Sequence, residues 1–103
     1  MIASRVEIEV SMDKMDEAIK FQKGLFAEGG PYHGQVESYR VHQAFFSGQN
    51  NIIAVEVCYE SLGAFESAHL EGFKKLPADF WENYRKIFDK PQRWTHWIVE
   101  DAG

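Results

Sequence analysis

The stretch VEVCYESLGAFESAHLEGF, residues 55–73, joins the end of a strand, a helix cap and a helix without a break. Side chains from Ile52 to Tyr59 alternate between two faces, which predicts a β-strand. Ser61 is a favourable N-cap, so a helix is predicted to begin directly after the strand. Residues three or four positions apart form the predicted core stripe of that helix: Leu62, Phe65, Ala68, His69 and Phe73.

A second strand–helix unit precedes this stretch. Arg5 to Val10 alternates strictly between charged and apolar residues, as a strand with one buried face does. Ser11 or Asp13 is predicted to cap the helix that follows, and EGGPYHG, residues 28–34, is predicted to end it. The apolar stripe of that helix is predicted to contain Met15, Ala18, Ile19, Gln22, Leu25 and Phe26.

Two further strands and a helical piece complete the predicted fold. Val36–Phe46 and Ile52–Tyr59 are predicted to pair as a hairpin around SGQNN, residues 47–51. A helical piece is predicted to begin at Pro77, and Arg93–Glu100 is predicted to be the last strand. The order β-α-β-β-α-(α)-β predicts one α+β domain over residues 1–103. Its fold would be ferredoxin-like βαββαβ, a four-stranded antiparallel sheet with the helices on one face.

Composition excludes several classes of function. The 103 residues carry 11 basic and 16 acidic side chains, a net charge of −5, which argues against a nucleic-acid partner. No apolar run reaches membrane length, and the alternating MIASRVEIEV does not read as a signal peptide. A single cysteine, Cys58, leaves no internal disulfide, so we expect a cytoplasmic protein with no membrane association.

Both faces of the predicted sheet carry large apolar side chains. On the last strand Trp97 lies opposite Trp94 and Ile98, and Phe45 and Phe46 occupy opposite faces of the second strand. An uncovered sheet of this kind would expose an apolar patch at the top of the usual ~300–600 Å² range for monomers. We therefore expect a homodimer in which two sheets pack face to face around a twofold axis and form an α+β barrel.

The chain resembles the dimeric α+β barrel superfamily. Tyr59, Ser61, Leu62 and Ala64 match the Tyr-x-Ser-Leu-x-Ala helix start of NIPSNAP-like proteins, and FWENY, residues 80–84, resembles their Trp-containing segment. The chain is also similar to antibiotic-biosynthesis-monooxygenase-like proteins. This resemblance implies three functional residues, as in those enzymes: an Asn on the first strand, and a Trp and a His on or near the second helix. The first strand here has no Asn, and His69 is the only partial match.

His69 is the candidate catalytic residue. Histidine exchanges protons near neutral pH, so His69 would serve as a general acid or base at the edge of a cleft beside the sheet. The alternative is a hydrogen-bonded histidine with a structural role only. Charged groups are also predicted on the uncovered sheet face, where they would form either a polar site or a paired network that sets strand register. These residues are Arg5, Glu7, Glu9, Glu56 and His96. No two histidines have the close spacing of a metal motif, so no metal and no cofactor are expected.

The aromatic content of 15% is high for so short a chain. We expect some of these rings to line a pocket between helices and sheet for a small, mostly apolar or aromatic molecule. The predicted ligand-binding residues are Tyr39, Phe65, Trp81, Tyr84 and Trp97. The predicted function is small-molecule binding, with cofactor-independent catalysis by His69 as an extension. The alternative is a dimerisation or regulatory module without chemistry, in which the rings only fill the core.

Overall fold

The computed structural model describes residues 1–44 and 51–99, and in them three helices pack on a four-stranded sheet. The order β-α-β-β-α-α-β confirms the predicted ferredoxin-like arrangement. The elements are β1 (Ile2–Glu9), a 3₁₀ turn (Met12–Lys14), α1 (Met15–Phe26), β2 (Ser38–Gln43), β3 (Ile52–Tyr59), α2 (Leu62–Lys74), α3 (Phe80–Ile87) and β4 (Gln92–Ile98).

The sheet has the strand order β2-β3-β1-β4, and every neighbouring pair is antiparallel. The central strand β1 begins at Ile2, three residues before the predicted start, because both β3 and β4 pair with it there. β2 is shorter than predicted within the described residues. Phe45, Phe46 and most of the predicted hairpin loop lie outside the described residues, as does the predicted end of β4 at Glu100.

The core lies between the helices and one face of the sheet, here called the helix face. Alternate residues of the two central strands fill its middle, among them Val6, Ile8, Ile53 and Val55. α1 covers them with the predicted stripe, in which Met15, Ala18, Gln22 and Phe26 are buried. Burial of each large aliphatic side chain contributes about 1.5–3 kcal/mol, so this layer is the main source of stability.

Helices α1 and α2 begin in different ways. The Ser61 hydroxyl accepts a hydrogen bond from the Ala64 amide at 3.1 Å, which confirms the predicted cap of α2. The predicted cap of α1 is wrong. Ser11 precedes a 3₁₀ turn and makes no capping bond, and α1 starts only at Met15. The turn itself supplies the first backbone hydrogen bond, from the Lys14 amide to the Ser11 carbonyl, so no side-chain cap is required there.

The buried face of α2 differs from the predicted stripe. Leu62 and Phe73 are 59% and 62% exposed, so they are not core residues. Ala68 is buried as predicted, and Gly72, which was not assigned to the stripe, is buried as well. Gly72 packs so closely on the ring of Tyr32 that an added Cβ atom would overlap it.

Candidate functional site

A cavity of about 310 Å³ lies between the helix face of the sheet and the three helices. Aliphatic side chains of β1 and β3, including Val6, Ile8, Val55 and Val57, form its floor. Aromatic side chains from α1, α3, β3, β4 and the loop after α1 form much of its wall. The volume is at the lower end of the ~300–1,000 Å³ range of small-molecule sites, and the predominance of apolar lining is typical of them.

α3 closes one side of this cavity, and an aromatic cluster attaches α3 to α1. The ring of Phe21 on α1 lies 5.5 Å from Phe80, 5.8 Å from Tyr84 and 5.5 Å from Phe88, measured between centroids. Two of these contacts have the edge-to-face geometry that aromatic pairs prefer. Phe80 and Tyr84 belong to this cluster and also line the cavity, together with Trp81.

Three tyrosines line the cavity, of which Tyr59 is buried and Tyr32 and Tyr84 are partly buried. Burial, with a smaller contribution from Tyr32, raises the pKa of Tyr59 to about 12. Burial also raises the pKa of Tyr32, and it raises the pKa of Tyr84, where a hydrogen bond from the Gln92 amide offsets part of the rise. All three are therefore neutral phenols at physiological pH, able to donate or accept a hydrogen bond.

His69 lies at the exposed rim of the cavity on α2. Its Nδ1–H donates to the Phe65 carbonyl at 2.8 Å, and its ring lies 4.3 Å from the Phe65 ring and 5.9 Å from Tyr59. When Nδ1 carries the proton, the neutral imidazole presents Nε2 as a hydrogen-bond acceptor. The geometry can therefore support a base at the cavity mouth.

The predicted site residues do not all meet in one place. His69, Trp81 and Tyr84 line the cavity together. Phe65 does not line the cavity itself, but its ring packs edge-to-face against the cavity residue Tyr59 at 5.1 Å between centroids. Tyr39 stacks on Phe26 at 4.9 Å and contributes to the wall only through that ring.

The prediction for Trp97 is wrong in its location. Register places Trp97 beside Ala3 on the sheet face opposite the helices, where it is 59% exposed and donates from its indole to the Thr95 hydroxyl at 3.3 Å. The sheet neighbour that lines the cavity is Trp94, three residues earlier and on the other face. Alternation along β4 separates the two rings, but sequence alone did not say which face the helices cover.

Sequence reasoning did not assign several cavity residues to a site, and three of them are polar. Ser4 precedes Val6 and Ile8 at the same alternating spacing, so its place on the buried face could have been read from the sequence. Gln22 was assigned to the stripe of α1 but not to a site, and it is 5% exposed in the cavity wall. Gln92 and Trp94 lie on the edge strand, whose partner no local pattern reveals.

The face away from the helices, here called the open face, carries a network of charged groups. Arg5 pairs with Glu7 at 3.2 Å and with Glu56, and His42 Nε2 lies 3.6 Å from the other Glu56 oxygen. Glu9 accepts instead from the Asn51 amide at 3.1 Å. Arg5, Glu7 and Glu56 are therefore paired, as one of the two predicted alternatives requires, whereas Glu9 lies outside this network.

His96 does not belong to the open face, so that prediction is wrong. It pairs in register with Ser4 on the helix face, and its Nδ1 lies 2.7 Å from the Ser4 hydroxyl. In residues 1–44 and 51–99, no group of three His, Cys, Asp or Glu side chains is arranged to hold a metal ion. None of the described helices has the length and apolar content that crossing a bilayer requires.

Comparison with known proteins places the fold. Neither a family model nor a curated protein matches the chain. Among solved structures, a dimeric ferredoxin-like protein from an uncultured marine organism superposes with a TM-score of 0.79 at 12% identity, over 99% of this chain and 90% of that one. A conserved protein from Methanosarcina mazei Go1 gives a TM-score of 0.71 at 16% identity, with 96% and 92% covered.

A third similar structure is a candidate antibiotic biosynthesis monooxygenase from Deinococcus radiodurans. Its TM-score is 0.69 at 15% identity, and 99% of this chain and 95% of that one are covered. Identities this low establish the fold and nothing finer. The chain therefore has the ferredoxin-like fold that these solved structures share.

Proposed function

We propose that this protein binds a small, mostly apolar or aromatic molecule in the cavity between its helices and its sheet. The observation that carries the proposal is the 310 Å³ cavity itself, with its aliphatic floor and aromatic walls. A chain that used its aromatic residues only as core filling would leave no such space, because protein interiors pack to the density of organic crystals.

The polar groups of the cavity support an oriented ligand. Tyr32, Tyr59 and Tyr84 offer neutral hydroxyl groups, and Gln22 offers an amide within an otherwise apolar wall. A small number of polar groups in an apolar pocket fixes the orientation of a ligand and supplies specificity. His69 at the rim would accept a proton from the bound molecule through Nε2, as an extension of binding to cofactor-independent catalysis.

A thermal-shift screen of small aromatic compounds tests the binding proposal. A bound compound raises the free energy of unfolding by ~2.7 kcal/mol at a hundredfold excess over its dissociation constant. Trp81→Ala, which removes part of the cavity wall, should abolish the shift while the protein stays folded. The proposal fails if no compound of this class stabilises the wild-type protein.

The role of His69 has a matched control in His33. Both side chains donate from Nδ1 to a backbone carbonyl, His69 to Phe65 at 2.8 Å and His33 to Phe26 at 3.1 Å, but only His69 lines the cavity. His69→Ala should weaken the stabilisation by a screening hit, whereas His33→Ala should leave it unchanged. Equal effects of both substitutions would assign His69 a structural role.

We further propose that the protein forms a homodimer through the open face. The solved relative from the uncultured marine organism is itself described as dimeric, which supports this arrangement. Trp97, Val99 and Ile52 surround the charged network on that face, so a second sheet would bury apolar edges around paired charges. Removal of this apolar area from water would drive association at about 25 cal/mol per Å².

Sedimentation at micromolar concentration tests the dimer. We expect a species of twice the 11.9 kDa chain mass, and Trp97→Glu should convert it to a monomer. Leu70→Glu is the matched control, because Leu70 is equally exposed but lies on α2, away from the sheet. A wild-type monomer would overturn the proposal. The finer NIPSNAP-like resemblance, the extent of the domain and a cytoplasmic location stay predictions.

The alternative, a dimerisation or regulatory module without chemistry, is supported by the open-face network of Arg5, Glu7 and Glu56. This network resembles a register-setting device more than a reactive site, since every acid in it has a cationic partner. A dimer that binds no member of the screen would favour this alternative.

A further inference from the structure

Ser4 lines the cavity and forms a hydrogen-bonded pair with His96, which is exposed on the neighbouring edge strand β4. The Ser4 hydroxyl lies 2.7 Å from His96 Nδ1, although 92 residues separate the two in the chain. The pairing of β1 with β4 places them opposite each other in register. Ser4 is 6% exposed, and it lines the cavity in a row where its strand neighbours on the same face are apolar.

Two aromatic side chains hold the imidazole of His96. Trp94 lies nearly parallel to it at 6.2 Å between centroids and 19° between planes, and Phe65 meets it edge-to-face at 5.4 Å. Phe65 also contacts His69 at 4.3 Å, so the two histidines lie against the same ring. The pair is therefore preorganised by packing and does not need a ligand to assemble it.

The placement of a serine here is not explained by sheet stability. Position 4 faces the same core as Val6 and Ile8, where an aliphatic side chain would be buried without loss of hydration. A neutral hydrogen bond contributes only about 1 kcal/mol net, less than the burial of a valine or leucine side chain. A serine in the cavity wall, paired with a histidine on the neighbouring strand, is better accounted for by a ligand that uses it.

We propose that Ser4 and His96 together recognise a hydroxyl group on a flat, apolar ligand, an inference that rests on the proposed binding function. A serine hydroxyl has one donor and two acceptor positions, so the bond to His96 leaves hydrogen-bonding capacity toward the cavity. If Ser4 donates to Nδ1, it accepts from the ligand; if Nδ1–H donates to Ser4, the Ser4 hydroxyl donates to the ligand. A ligand hydroxyl satisfies both tautomers, because it can donate or accept.

Three bicyclic probes separate this inference from the general binding proposal. 2-Naphthol carries the hydroxyl, 2-methoxynaphthalene can only accept, and naphthalene has no polar group. We expect wild-type protein to bind 2-naphthol about fivefold more tightly than naphthalene by equilibrium dialysis, which corresponds to ~1 kcal/mol. 2-Methoxynaphthalene reports the tautomer: it should bind like 2-naphthol if Ser4 donates to the ligand, and like naphthalene if Ser4 accepts from it.

Substitutions then assign the preference to the pair. Ser4→Ala and His96→Phe should each lower the affinity for 2-naphthol about fivefold and change that for naphthalene less than twofold. The double variant should show little further loss, because the two side chains act as one unit. Thr95→Val is the matched control: it removes a hydroxyl from the same strand, but one that faces away from the cavity and donates to the Arg5 carbonyl.

Each outcome decides the inference. Equal loss of naphthalene and 2-naphthol affinity in Ser4→Ala, or no loss of either, overturns the role of the pair and leaves cavity binding intact. Failure of the wild-type protein to bind any of the three probes overturns both proposals. Urea midpoints for Ser4→Ala and His96→Phe show that each variant is folded, and His96→Phe keeps a ring against Trp94 and Phe65 so that packing is preserved.

Discussion

Gly72 on α2 provides a direct test of how the cavity wall is built. A Cβ atom placed on Gly72 would overlap three ring carbons of Tyr32, of which the farthest, Cζ, would lie at 2.9 Å. Tyr32 lines the cavity, so Gly72→Ala must move this ring, the helix or both. Overpacking of this kind costs about 1–3 kcal/mol. Replacing a helical glycine by alanine returns about 1 kcal/mol, so the net loss should be about 0–2 kcal/mol.

Gly24 in α1 is the matched control for this substitution. It is exposed, and an added Cβ would meet no atom within 4 Å. Gly24→Ala should therefore stabilise the protein by about 1 kcal/mol. The difference between the two variants, about 1–3 kcal/mol, isolates the contact with Tyr32 because the helix-propensity gain is common to both.

Urea unfolding at one fixed protein concentration measures these differences, since dimerisation would make stability depend on concentration. In a Tyr32→Ala background the ring is absent, and Gly72→Ala should then become stabilising like Gly24→Ala. If Gly72→Ala stabilises the wild-type protein as much as Gly24→Ala does, Tyr32 does not pack on α2 and the cavity wall is different from the one described.

Two further predictions concern single side chains. Because the pKa of Tyr59 is raised from 10.0 to about 12, its contribution to folding is complete below pH 10 and is lost as the pH rises toward 12. The titration of this group should lower the free energy of unfolding by about 1 kcal/mol by pH 11, and Tyr59→Phe should reduce that fall. If the variant and the wild-type protein show the same pH profile, the phenol is not buried. Ser61→Ala should cost about 1 kcal/mol in urea unfolding through loss of the cap on α2. Ser67→Ala, on the same helix but exposed and away from its start, should cost nothing, and equal effects would show that Ser61 does not cap.

Local patterns were sufficient where the physics is local. Alternation predicted β3, the serine before Leu62 predicted the start of α2, and the spacing of Met15, Ala18 and Gln22 predicted the buried face of α1. Each of these follows from side-chain direction along one element, which depends only on the period of that element. The same reasoning failed for Leu62 and Phe73 of α2, which are exposed, whereas Gly72 is the residue that packs closely on Tyr32.

The amino-acid sequence by itself determined the order of strands and helices, and with it the ferredoxin-like fold, because hydrophobic period and turn residues act over a few positions. It also identified His69, Trp81 and Tyr84, which meet at the cavity. Only the tertiary structure decided which side of the sheet the helices cover. Trp97 therefore lies on the open face and His96 on the helix face, the reverse of what was predicted. Strand register is a pairing between residues as far apart as Ser4 and His96, and no local pattern encodes which distant residue lies opposite.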